Sequence, residues 1–289
     1  MASAVDKLLA KLDPDTLYSP AELTEPAAAL VADMSLEEAA SLCSGRNFWQ
    51  LKSIPRLGLE SVSVSDGPHG LRKQDNEADH LGIGGSMPAT CFPTAVTLAS
   101  TWDVGLLHEV GRRIGAEAAA RDVSVVLGPG VNIKRSPLCG RNFEYFSEDP
   151  HLSGELAVAW IEGVQSQGVG ASLKHFAANE QEWQRMVVDT LVDERTLREI
   201  YLAAFEPAVR RARPWTIMSA YNRLLGVYCC EHEWLLGRVL RDEWGFGGLV
   251  LSDWMGVSER VRACERGLDL EMPGMNRNRD AKLVRTYVG

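Results

Sequence analysis

Short apolar runs recur along this chain, and most end on polar or charged residues. Seven of them, Ser61–Ser65, Thr94–Ala99, Val123–Leu127, Gly170–Leu173, Thr216–Ser219, Leu249–Ser252 and Leu268–Glu271, predict buried strands from their length and apolar content. Between most of them lie longer stretches with helical spacing: Val104–Arg121, Pro150–Gln167, Asp193–Arg211 and His232–Glu243. Pro150 in a first turn, Gly168 beyond a last turn and Asp193 as an N-cap support these assignments. Strand-then-helix alternation predicts βα units on a parallel sheet. The fold class is α/β, a TIM-like (β/α)8 barrel that is irregular or lacks one recognisable strand. Ahead of the barrel, residues 1–50 read as mixed and helical, with Ser35 and Glu38 forming a capping box. Asp75–Pro88 is polar and carries Gly82, Gly84 and Gly85, which predicts a mobile loop above the strand ends; Ala281–Val288 predicts the start of a last helix.

Charge narrows the partners. The 289 residues carry a formal net charge of -9, which argues against a nucleic-acid surface. The N-terminus has charges within its apolar stretch and no secretory core, and no run approaches membrane-spanning length, so a cytoplasmic protein is expected. Six cysteines form no CxxC pair, which predicts free thiols and no zinc site; Cys229-Cys230 reads as two thiols at a loop edge. Neither Gly82–Gly85 nor Leu127-Gly128-Pro129-Gly130 continues into the Lys-Ser/Thr of a phosphate loop, so no nucleotide cofactor is expected.

The strand ends carry the candidate chemistry, because catalytic groups of parallel barrels gather at the C-terminal tips. In chain order they offer Asp66 in Ser-Asp-Gly-Pro-His-Gly, Arg141 in Cys-Gly-Arg-Asn-Phe-Glu, Lys174-His175, Met218 and Tyr221 in Met-Ser-Ala-Tyr-Asn, and Asp253-Trp254. Taken singly, Asp66 can cap a turn and Arg141 can pair with Glu144 or Glu148. A Lys-His pair at a strand tip is costly to bury without partners. Together they make a donor/acceptor pocket around one carboxylate, suited to vicinal hydroxyls and a sugar's C–H face. Lys174, His175 and Arg141 are expected to favour the ionised form of Asp253.

On these motifs, together with Val192–Leu197 and Glu271-Met272-Pro273-Gly274, the chain resembles the N-terminal domain of glycoside hydrolase family 3, in its β-glucosidase group, from about Leu36 to about Gly274. The resemblance implies a retaining, exo-acting enzyme on terminal β-D-glucosyl residues. Asp253 matches its nucleophile, which forms a covalent glycosyl-enzyme. Asp66, Arg141, Lys174 and His175 match residues that hold the terminal sugar's hydroxyls. Tyr221 matches a neighbour of the nucleophile, Met218 and Trp254 match pocket walls, and Arg72 is a further candidate ligand. No metal or cofactor is implied. The Asp66-Gly67-Pro68-His69-Gly70 stretch, where family β-xylosidases resemble one another in Glu-Ala-Leu-His-Gly, leaves room for a hydroxymethyl arm and favours glucose over xylose.

The resemblance also sets an expectation about what is missing. Family β-glucosidases carry the general acid/base Glu on an α/β sandwich domain after the barrel, and no residue from Met1 to Gly289 matches it. The family's β-N-acetylglucosaminidases use a loop in Lys-His-Phe-Pro-Gly-His, whereas this chain reads Lys174-His175-Phe176-Ala177-Ala178-Asn179-Glu180, and neither Glu180 nor Glu182 is a favoured acid. A fragment, a truncated product or one chain of a split enzyme is therefore expected, with the acid supplied by a missing domain or a second chain. A homo-oligomer and a sugar-binding fragment without turnover stay open.

Overall fold

The computed structural model describes residues 20–74 and 85–274, with Val5 and Leu8; most of the predicted loop Asp75–Pro88 and the predicted helix Ala281–Val288 lie outside the described residues. Five parallel strands form the main sheet among the described residues, in the order β1 (Val64–Asp66), β2 (Val125–Leu127), β3 (Gly170–Phe176), β5 (Thr216–Ser219) and β8 (Leu249–Ser252). A small side sheet holds β4 (Asp189–Thr190), β6 (Arg223–Leu224) and β7 (Val227–Tyr228). The main sheet is the curled part of a TIM-like barrel. Single-residue bridges carry it from β8 round to β1: Leu251 to Leu270, Ser44 to Glu271, Gly45 to Leu51 and Gln50 to Ser63.

Strand alternation sorts side chains into two cores. Val64, Val125, Leu127, Met218, Leu251, Leu270 and Met272 cluster on the inner side. Val126, Leu173, Ile217 and Val250 point the other way, into a larger core shared with the helices. The helices Val104–Ala119 and Pro150–Gln165 cover that outer face, packed so tightly that a Cβ on Gly163 would sit 2.2 Å from the His108 carbonyl oxygen. Asp103 and Asp149 cap their N-termini, and the Ser35–Glu38 capping box opens the helix Leu36–Leu42.

Four expectations change. Thr94–Ala99 is not a strand: Thr94 adopts an extended N-cap conformation and Ala95–Ala99 is a helix, burying Ala95, Leu98 and Ala99 at helical spacing. Leu268–Glu271 makes only isolated bridges, and Glu271 forms a buried 2.7 Å ion pair with Arg260, so that tip is structural. Asp193–Arg211 keeps its Asp193 cap but divides into short α- and π-helical pieces, with Arg213 beyond them in a left-handed conformation; Trp234–Glu243 is also π-helical. Cys229 and Cys230 are fully buried rather than at a loop edge, and burial pushes the Cys229 thiol up to about 12. No disulfide joins any of the six cysteines. No described helix is long and apolar enough to cross a membrane.

Candidate active site

The strand tips meet at a cavity of about 230 Å³. Every candidate lines it: Asp66, Arg72, Arg141, Lys174, His175, Met218, Tyr221, Asp253 and Trp254. Phe48, Trp49, Leu127 and Arg185 complete the lining and were not among the candidates.

Local backbone explains how the charged groups arrive. β1 ends on Asp66, and Gly67 follows with φ +124. A Cβ on Gly67 would lie 2.1 Å from the Gly70 carbonyl oxygen, so only glycine fits the turn that keeps the carboxylate at the tip. Consecutive strand residues normally face opposite ways. Between Lys174 and Phe176 the register with β5 shifts, and this irregularity lets both Lys174 and His175 line the cavity. Asp253 follows β8 and stays tied to its neighbour strand through its amide, 3.1 Å from the Ser219 carbonyl oxygen.

The charges are densely paired. Lys174 Nζ donates to Asp66 Oδ1 at 3.0 Å and lies 3.9 Å from Glu144 Oε2. Arg72 approaches the other Asp66 oxygen at 3.9 Å. Arg141 pairs with Glu144, as one of the two sequence alternatives had it, and also donates to His175 Nε2 at 2.8 Å. With Nε2 accepting from a guanidinium, a neutral His175 carries its proton on Nδ1, 2.9 Å from the Tyr145 hydroxyl. Asn132 brackets the same residue, accepting from the His175 amide at 2.8 Å and donating to its carbonyl at 2.9 Å.

Electrostatics correct one expectation. Burial pulls His175 well below the ordinary imidazole range, and the cations Arg141, Lys174 and Arg185 add to that. A neutral His175 adds no positive charge beside Asp253. Burial also raises Asp253 above the usual carboxylate range, although Arg141, the Trp254 amide, Lys174 and the Tyr221 hydroxyl each oppose the rise. Asp66 behaves differently: burial alone would raise it, but Lys174, by charge and hydrogen bond, holds it below its ordinary value. The cavity thus contains one carboxylate that is firmly ionised and another with its charge only partly offset.

Asp253 is 7% exposed. Its Oδ1 accepts from the Trp254 amide at 2.7 Å. Its Oδ2 is buried without a hydrogen bond of good geometry, with His175 Nε2 3.6 Å away. Trp254 itself donates from Nε1 to the Phe48 carbonyl oxygen at 2.9 Å, and its ring lies 5.6 Å from that of Trp49. Phe48, Trp49 and Trp254 form an aromatic wall. The signal for it was the adjacent Phe48-Trp49 after Asn47, whose side chain accepts from the Trp49 and Gln50 amides. Arg185 offered no comparable signal, because it lies in a polar loop after β3. Of the two further glutamates, Glu182 pairs with Arg185 at 2.9 Å and faces Arg141 at 3.8 Å, while Glu180 is buried outside the cavity lining. Among the described residues no cluster of His, Cys, Asp or Glu is arranged to hold a metal ion.

Similarity to known proteins gives the family. The family model for the glycosyl hydrolase family 3 N-terminal domain matches residues 71–278. Thermostable beta-glucosidase B of Acetivibrio thermocellus is 59% identical over 255 residues, covering 88% of this chain and 34% of that protein. An exo-alpha-(1->6)-L-arabinopyranosidase of Bifidobacterium longum is 53% identical over 244 residues, covering 84% of this chain and 32% of that protein. The solved structure of beta-glucosidase 3B from Thermotoga neapolitana in complex with glucose superposes with a TM-score of 0.85 at 45% identity, covering 90% of this chain and 39% of that one. The chain spans about a third of the length of the curated relatives it matches. With the family model matching over residues 71–278 and the fold shared with a solved structure at 45% identity, the chain belongs to the glycosyl hydrolase family 3 N-terminal domains.

Proposed function

We propose that this chain forms the sugar-binding and nucleophilic half of a retaining β-glucosidase. The observation that carries the reading is Asp253 Oδ2, a buried carboxylate oxygen with no well-formed hydrogen bond, beside a cavity walled by cations and aromatic rings. In the proposed reaction this oxygen attacks the anomeric carbon as the bond to the leaving oxygen breaks. Water then releases the sugar from the ester with a second inversion. Asp66, Lys174, Arg141 and His175 bond the sugar's hydroxyls, and the aromatic wall covers its apolar face.

The same reaction needs a proton donor for the leaving oxygen. Of the cavity's two carboxyls, Asp66 is held ionised by Lys174 and Asp253 is the nucleophile, so the acid is proposed to come from outside the described residues. An activated reagent bypasses that need. Incubation with a 2,4-dinitrophenyl 2-deoxy-2-fluoro-β-glucoside is expected to place one fluoroglucosyl unit on the peptide containing Asp253, read by intact mass and peptide mapping. Reversible glucose binding with no adduct would instead identify a sugar-binding module.

The sugar is proposed to be glucose, with the relatives named beta-glucosidases as the support. The arabinopyranosidase relative keeps a pentopyranose as the second reading. With aryl glycosides sharing one leaving group, kcat/KM is expected to be higher for the β-glucoside than for the β-xyloside or the α-L-arabinopyranoside. The opposite order would move the assignment to a pentose.

A further inference from the structure

A ring of contacts encloses the Asp253 carboxyl. His175 Nε2 lies 3.6 Å from Asp253 Oδ2, and Arg141 is 2.8 Å from the same nitrogen. Arg141 reaches Glu182 at 3.8 Å, and Arg185 donates to Glu182 at 2.9 Å. The Arg185 guanidinium then lies over the Tyr221 ring, 4.8 Å from its centroid, and the Tyr221 hydroxyl interacts with Asp253. Glu182 and Arg185 are the members of this ring to which neither the motifs nor the proposed mechanism gives a task, and of the two only Arg185 touches Tyr221 and lines the cavity.

We propose that Arg185 is a positioning residue for attack by Asp253, holding Tyr221 so that its hydroxyl donates to the nucleophile's carboxylate. The assignment rests on the proposed role of Asp253. Tyr221 lies two residues beyond the end of β5, where the ladder no longer fixes the backbone. Gly256 approaches the ring so closely that a Cβ there would sit 3.3 Å from Tyr221 Cδ1. The guanidinium supplies a second contact, and Glu182 in turn fixes the guanidinium. A cation on a phenol ring is attracted to its face, and a hydrogen bond donated to a carboxylate favours the ionised form. Both effects keep Asp253 charged where burial opposes charge. The Arg185 side chain is 39% exposed, so its pair with Glu182 adds little to stability and its replacement leaves the core intact.

The test compares wild type, Arg185→Met, Arg185→Lys, Tyr221→Phe and the Arg185→Met/Tyr221→Phe double variant. Labelling by the dinitrophenyl fluoroglucoside is followed against reagent concentration and pH, with thermal melting as the control for folding. Arg185→Met is expected to label roughly tenfold more slowly at saturation, with the half-saturating concentration little changed and the acid limb moved to higher pH. Arg185→Lys should recover part of the rate. In the Tyr221→Phe background the Met substitution should cost nothing further, because the hydroxyl through which it acts is gone. A second readout needs no turnover: carboxyl 13C NMR should show the Asp253 midpoint rising on Arg185→Met only when Tyr221 is present. An unchanged midpoint, or full additivity in the Phe background, overturns the assignment even if Asp253 labels normally. A midpoint that moves in a protein that never labels supports the positioning of Tyr221 and refutes the proposed function instead.

Discussion

Asp253→Gly is expected to lower the rate of sugar release from a dinitrophenyl β-glucoside by on the order of 10⁴-fold or more. Sodium azide is expected to restore part of that rate, with α-glucosyl azide as the product. The reason is geometric. Removing the side chain leaves a space beneath the anomeric carbon, lined by Arg141, Lys174 and the Trp254 amide, which all offset negative charge at that point. A small anion can occupy it and attack from the face that the carboxylate used, so the product has the opposite configuration to the substrate. Asp253→Asn keeps the shape, leaves no space and should stay inactive with azide. An Asn variant near the wild-type rate would remove Asp253 from the mechanism. So would a folded Gly variant that yields no glycosyl azide.

The second large effect concerns stability and pH at Glu180. Burial raises its carboxyl to about 8 from the ordinary 4.5, partly opposed by the hydrogen bond from Asn132. Its side chain lies in the interior, next to Asn132 Nδ2 at 3.4 Å. A carboxyl whose pKa is raised by folding holds its proton more tightly in the folded state. Its favourable contribution is therefore complete below about 4.5 and is lost progressively as pH rises to about 8. The span corresponds to a loss on the order of 5 kcal/mol. Glu180→Gln mimics the protonated form and does not titrate. Urea unfolding of the two proteins should give similar midpoints at acid pH and a clearly higher midpoint for the Gln variant in mild alkali, with thermal midpoints roughly 10 °C apart there. Parallel curves across the pH range would show that Glu180 does not titrate in this window.

Most of the site was legible because each strand tip announces itself locally. An apolar run that ends on Asp66, Lys174-His175 or Asp253-Trp254 places the residue and the element together, and all nine candidates line one cavity. Contacts made by irregular chain were less legible. Phe48 and Trp49 belong to a segment joined to the barrel by single bridges, and no periodicity marks such a segment. Arg185 lies in a loop, and the Tyr221 ring that it covers is distant in sequence. The misread run Thr94–Ala99 mixes β-branched and small residues, and its three buried positions settle the period only when burial is known. Charge was the least legible. Proximity suggested that His175 would stabilise a charged Asp253, but burial leaves the imidazole neutral and raises the carboxyl, and burial cannot be read from adjacency along a chain.

The bridges that join β8 to β1 have a kinetic consequence. A continuous ladder opens as a unit, whereas a stretch tied at single residues can detach at a smaller cost. Amides between Ser44 and Ser63 should therefore exchange with solvent well before those of β2, β3 and β5. Phe48 and Trp49 ride on that stretch, and the Trp254 indole is anchored to it through the Phe48 carbonyl. Lys174 stands on β3, on the slow side of the barrel, and Phe48 and Trp49 on the fast side, so a ligand is expected to come and go past the aromatic wall while the floor around Lys174 keeps its shape.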